Sequence, residues 1–171
     1  YPARFLLVAA MNPCPCGHFG STAHPCTCTP HQIRRYLGRV SGPLLDRIDM
    51  HMEVSSVPHS TLMSDALEEP SALVKQRVDA ARRRQTMRYK ALRGVYCNAQ
   101  LEGRAVTQHC PVGEGAKDIL RRAMDVLSLS ARGLSRVLKL ARTIADLDGD
   151  DGILEHHVAE AIQYRALDRK Y

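Results

Sequence analysis

The chain has 171 residues, 44% of them hydrophobic but only 5% aromatic and none Trp, which is enough for one ordinary domain or two small ones around an aliphatic core. A net charge of +6 and a pI near 9.2 favour an anionic partner such as nucleic acid or nucleotide. No apolar run approaches the ~20 residues that a bilayer crossing requires, so a membrane is excluded as a partner at this stage.

Residues 4–10 form a continuous apolar run between Pro2 and Pro13, the pattern of a strand covered on both faces. A signal-peptide reading fails because the run is short, strand-like and leads into Asn12-Pro13. The absence of an initial Met reads as the continuation of a longer polypeptide. Residues 13–30 are rich in Pro, Cys, Gly and Thr and read as an irregular loop. A short helix is expected over His31–Leu37, starting at Thr29 or Pro30. Gly42-Pro43 breaks the chain. Ile48, Met50, Met52 and Val54 then alternate with Asp49, His51 and Glu53, the period of a half-buried strand.

Residues 55–70 read as a polar linker with two prolines. Beyond it the pattern is helical. Ser71 is a plausible cap, with Val74, Val78 and Ala81 on one face and Arg82, Arg83, Arg84, Arg88 and Lys90 opposite. Residues 94–115 read as irregular. Ala116, Ile119, Leu120, Ala123, Met124 and Leu127 make the clearest amphipathic stripe. Ser130 caps a further helix whose inner face carries Leu134, Val137, Leu138, Ala141, Ile144 and Ala145. After a turn over 148–152, a last helix carries Val158, Ala161 and Ile162.

Three single residues and two clusters carry candidate chemistry. Asn12 lies just beyond a strand's carboxyl end, where open α/β sheets place ligands, although Asn-Pro also simply starts turns. Arg47 sits in the anchored turn SGPLLDRID. It could project toward a neighbouring subunit or pair locally with Asp46 or Asp49. Arg132 opens the helix capped by Ser130, with Arg136 and Lys139 along the same face. That face suits a phosphate-sensing lid or plain solvation.

Four of the six cysteines fall in residues 14–28 as Cys14-x-Cys16 and Cys26-x-Cys28. Four thiolates can close a tetrahedral zinc site; free or redox-active thiols and disulfides remain alternatives, and His18 or His24 could replace one cysteine. A closed site of this kind has no open position for catalysis. The clustering points to a reducing, cytoplasmic compartment. The Arg82-Arg83-Arg84 cluster with Arg88, Lys90 and Arg93 could contact a phosphate backbone, but a solvated charge run is the commoner case. No G-x-x-x-x-G-K-[ST] loop occurs in these residues.

In order along the chain, VAAMNPCPCG with CTC, SGPLLDRIDMHMEV, LSARGLSRVLKLARTIADLDG and HHVAEAIQYR resemble the carboxyl-terminal half of magnesium-chelatase-like AAA+ ATPases of the ComM (YifB) type. The resemblance implies an α/β fragment of a P-loop NTPase core with few strands over 1–57, a linker over 58–70 and an all-α helical lid over 71–171, mostly α overall. It places Asn12 at sensor 1, Arg47 at the arginine finger and Arg132 at sensor 2. It implies ATP and Mg in the full-length protein, a hexameric ring, and an ATP-driven motor for DNA branch migration in natural transformation. Alone, without Walker A and Walker B, this stretch is expected to be inactive. Gly133 departs from the family, where a bulkier residue is expected. A zinc-stabilised DNA-binding module without motor activity, and a magnesium chelatase ATPase subunit, are the alternatives.

Overall fold

The computed structural model describes residues 5–54, 57, 63, 68–127 and 129–165. Its elements are helices: α1 (Pro30–Leu37), α2 (Gly42–Leu45), α3 (Ser71–Arg88), a 3-10 turn (Asn98–Gln100), α4 (Arg104–His109), α5 (Glu114–Leu127), α6 (Ala131–Asp148) and α7 (Glu155–Gln163). The mostly helical character is as expected. The strands are not: residues 5–12 and 48–54 are irregular, and among the described residues the backbone makes one isolated parallel bridge, Val112 to Ile153. A strand is held by the N–H and C=O groups of its neighbours. No neighbouring strand lies among the described residues, so Phe5, Leu6 and Val8 are 78–88% exposed and Val54 is 90% exposed. Arg4 and most of the expected 55–70 linker lie outside the described residues.

The helical half is organised around α6. This helix packs against α3, α4, α7 and the 3-10 turn, while α5 packs against α7. The apolar stripe of α6 is buried at Val137, Leu138, Ala141, Ile144 and Ala145, and that of α5 at Ala116, Leu120, Ala123 and Leu127. Ser130 caps α6 by accepting from the Gly133 N–H at 3.0 Å. Gly149 closes the helix at φ +86°, a left-handed turn that glycine adopts without strain. A Cβ at Gly133 would meet Leu129 and Ser130 atoms no closer than 3.5 Å. The glycine there is therefore not required by crowding.

Two elements differ from the sequence reading. Helix α4 and the 3-10 turn occupy a stretch expected to be irregular. The expected inner face of α3 is buried at Ala81 but not at Val74 or Val78, which are 41% and 44% exposed. Instead, α3 turns Gln85, Arg88 and Tyr89 toward α6. Inside that contact lies a polar knot. Arg88 grips Asp146 through both terminal nitrogens at 2.5 and 2.9 Å. The Asn98 side-chain amide donates to Asp146 at 2.9 Å and to Thr143 at 3.0 Å, and the Tyr89 hydroxyl donates to Asn98 Oδ1 at 2.6 Å. Arg142 lies 3.2 Å from Asp146 and donates to the carbonyls of Asp150 and Asp151 at 2.7 Å. Burial pushes the Asp146 carboxyl up, but Arg88, Asn98 and Arg142 outweigh it and leave it below the ordinary carboxylate range.

Candidate functional site

The loop before α1 folds its four cysteines onto one point. Cys14 Sγ lies 3.3 Å from Cys16 Sγ and 3.7 Å from Cys26 Sγ, and Cys16 and Cys26 are 3.6 Å apart. All four sulfurs, Cys28 included, fall within 4.8 Å of one another. Sulfurs at ~2.3 Å from a tetrahedral zinc stand about 3.8 Å from each other, so the cluster already has nearly the edge lengths of such a site. Gly17 at φ +83° reverses the chain after Cys16. The reversal aims the Phe19 N–H at Cys14 Sγ, 3.3 Å away.

The electrostatics are those of a thiolate pocket that takes a cation. Backbone N–H groups of His18 and Thr27 hold the Cys16 thiol down to about 5. Partial removal from water and the neighbouring sulfurs raise Cys28 to about 12. At Cys26 the Cys28 N–H favours the thiolate, yet desolvation and the adjacent Cys16 and Cys14 leave it raised. Such a set ionises fully only around a cation, and N–H groups directed at sulfur are the outer layer that thiolate–metal sites use. The donor set is all-thiolate, so the fit is to zinc in a structural role. No disulfide links these cysteines. His18 and His24 are not in the group; their rings sit together at 5.2 Å.

A second group of donors, Asp148, His156 and His157, also lies within 4.8 Å. Its chemistry argues against a cation. The Leu154 N–H donates to His157 Nδ1 at 2.9 Å, which puts the ring proton on Nε2, facing Asp148 at 3.1 Å. The lone pair a metal would need is thereby occupied by hydrogen.

Arg47 follows α2, which is capped by Ser41, carries Pro43 in its first turn and is rooted by Leu45 at 5% exposure, while Leu44 is 46% exposed. Arg47 itself is exposed, and its Nη1 donates back to the Pro43 carbonyl at 2.6 Å. The two acids that flank it are engaged elsewhere. Asp49 takes Arg136 Nε at 2.6 Å. Asp46 accepts from Ser130 Oγ at 3.2 Å and lies 3.9 Å from both Arg132 and Arg165. Arg165 also donates to the Ile48 carbonyl at 2.5 Å, and the His51 N–H to the Tyr164 carbonyl at 2.7 Å. The Arg47 turn is thus braced by the start of α6 and by residues just after α7. No carboxylate among the described residues pairs with Arg47.

Arg132 is 57% exposed and lies across Asp46 from the Arg47 turn. The structure therefore brings the Arg47 turn and the first turn of α6 together. Asn12 is exposed, and no hydrogen bond joins it to Arg47 or Arg132. The expected basic face of α6 is not a solvated one: Arg136 is 14% exposed on Asp49, and Lys139 donates to the Ala99 carbonyl at 3.0 Å.

Comparison with known proteins bears on what this arrangement is. Residues 68–165 match the C-terminal part of the magnesium chelatase subunit ChlI, and residues 1–62 match the preceding ChlI segment. The chain belongs to the magnesium-chelatase-like family, with the ComM and YifB proteins. It is 46% identical over 170 residues to the uncharacterized protein YifB of Salmonella typhimurium and likewise to that of Escherichia coli K12. It is 42% identical over 170 residues to the competence protein ComM of Haemophilus influenzae. These matches cover 99% of this chain and 32% of each relative, so the chain spans about a third of their length.

Sequence reasoning on this magnesium-chelatase-like chain missed the braces. Asp46, Asp49 and Arg136 were weighed as local partners or surface charges. The available signal was Arg136 at i+4 from Arg132, facing acids from another segment. Periodicity within one helix cannot reveal such a pair.

Proposed function

We propose that this chain supplies the trans-acting cation and the helical lid of a ComM-type AAA+ ATPase that drives DNA branch migration. On this reading residues 1–57 complete the nucleotide-binding core, 58–70 connect, and 71–171 form the lid. Arg47 reaches the ATP of the adjacent protomer in a hexameric ring, Asn12 orients the attacking water, and Arg132 couples the lid to the nucleotide. Mg and the triphosphate cradle come from other parts of the full-length protein. The cysteine cluster holds a structural zinc, and the reduced thiols it requires suit the cytoplasm. The competence name of the Haemophilus relative favours natural transformation over porphyrin metallation, and the cysteine loop does too.

The observation that carries this reading is an exposed, acid-free guanidinium on a turn fixed from both sides. A fixed cation delivered to a transferring phosphoryl group is worth about 10³–10⁵ in rate. In the full-length protein, Arg47→Ala is expected to leave ATP binding near normal and reduce turnover at least 10³-fold. Turnover within a few-fold of the parent would reject the role. These residues contain no phosphate-cradling G-x-x-x-x-G-K-[ST] loop, so the chain alone is expected to have no ATPase activity. The four converging sulfurs favour one competing reading, a zinc-stabilised DNA-binding module without a motor. Full-length protein that binds DNA yet never hydrolyses ATP, and that loses DNA on chelation, would support it instead.

A further inference from the structure

The charge of the chain is concentrated in one place. Residues 71–93, α3 and the turn after it, hold eight basic residues and one acidic residue, a net of +7 against +6 for the whole chain. Everything else nets −1. A basic pI therefore reports on one helix rather than on the molecule.

The structure sorts these eight cations. Lys75 pairs with Asp79 and Arg77 with Glu69 on the early turns of α3. Arg84 pairs with Asp151 of the turn after α6, and Arg88 is consumed by Asp146 in the knot. Arg82, Arg83, Lys90 and Arg93 remain. All four are exposed, and no carboxylate among the described residues pairs with them. Arg82 reaches only the neutral Gln85 amide, at 3.5 Å. From Arg82 to its end at Arg88 the helix advances about 9 Å, and Lys90 and Arg93 follow in the turn after it. Ala81, Gln85 and Tyr89 are buried on the side facing α6, so Arg83 stands on the opposite side with Thr86 and Met87, Arg82 lies at its flank beside Gln85, and Lys90 and Arg93 are exposed in the turn that follows. An ordinary solvated helix intersperses its cations with acids at i+3 or i+4. Here residues 80–93 carry no acid at all, and Asp79, one turn before Arg83, is held by Lys75 at 2.6 Å.

We infer that the outer face of α3 together with the turn after it is a contact surface for the DNA phosphate backbone, with Arg82, Arg83, Lys90 and Arg93 as its phosphate ligands. The choice of DNA over another polyanion rests on the motor reading above. The contact is to phosphates, so it carries no sequence preference of its own. Each cation set on a phosphate releases condensed counterions, which makes the affinity steeply salt-dependent. Four such contacts give a slope of log K against log salt of about −3.6, or roughly a 10²-fold loss of affinity between 50 and 200 mM salt. This basic face lies on a different helix from Arg132, the lid residue proposed to meet nucleotide.

The test is fluorescence anisotropy of the 171-residue chain on a labelled 30-base-pair duplex, titrated at several salt concentrations. Arg83→Gln with Lys90→Gln is expected to shallow the slope by about 1.8, and the fourfold Gln variant to bring it near zero. The Arg82→Lys/Arg83→Lys variant should keep the parental slope, because charge is what matters. Circular dichroism melts should coincide for all of these, since the positions are exposed. A slope unchanged in the fourfold Gln variant, or no binding by the parent at 50 mM salt, would overturn the assignment. The Arg47→Ala turnover measurement does not depend on this surface, so failure of either result is read separately.

Discussion

Asp146 offers the sharpest perturbation. It is 1% exposed, and its two oxygens are taken by Arg88, Asn98 and Arg142. Asp146→Ala leaves the Arg142 guanidinium, 2% exposed, and the partly buried Arg88 without their shared counter-charge. Breaking a buried pair by removing one partner costs about 3–5 kcal/mol. Around a helical unit of the size of residues 71–165, each kcal/mol shifts Tm by about 4–8 °C, so the midpoint should fall by at least ~12 °C. Far-ultraviolet circular dichroism melts of the parent and variant measure this directly. The pH dependence adds a check of sign. The folded-state pKa of Asp146 is depressed, so its contribution is fully present above the ordinary Asp value of 3.8 and is lost as pH falls through the lower folded value. The gap between parent and variant should accordingly narrow below about pH 4. A second variant, Arg88→Met/Asp146→Leu, removes two of the charges and should recover part of the loss. A fall in Tm of under 4 °C for Asp146→Ala would refute the view that this carboxylate is the keystone of α3 on α6.

Two further outcomes are expected. Metal analysis of the protein purified without chelator should find about one zinc per chain, falling in Cys14→Ser because Cys14 is the fully buried member of the set; a metal-free parent would remove the site. In the full-length protein, Arg136→Gln should lower kcat for ATP several-fold with KM unchanged, because Asp49 no longer fixes the Arg47 turn to α6. An unaltered kcat would disconnect that helix from the role proposed for Arg47.

What the sequence disclosed follows from the range of the forces involved. Helix α5 and the apolar side of α6 were legible because their 3.6-residue stripes match one continuous buried face. Thr29 and Ser130 were legible because capping is a local exchange of hydrogen bonds. The cysteine group was visible as spacing, but the exclusion of His18 and His24 from it needed coordinates. Helix α3 misled because its inward side is polar: Gln85 and Arg88 face α6, so an apolar stripe placed Val74 and Val78 wrongly. The two expected strands failed for a different reason. An alternating or apolar run specifies a strand only when neighbours supply its ladder. Asp46, Asp49 and Arg136 were seen as residues but not as partners, since nothing in the order of the chain ties residue 46 to residue 165.

That last tie has a kinetic meaning. The contact from Arg165 back to Ile48 closes a span of 117 residues, about twice the 58 spanned by the Arg88–Asp146 pair inside the helical unit. Long closures carry an entropic cost before they yield any stabilisation, so contacts of this span tend to form late. The helices would assemble first, and the Arg47 turn would be locked only afterwards. A nascent or damaged molecule whose helices have not yet gathered would therefore display an unfixed Arg47, its guanidinium no longer held in one place by the far end of the chain.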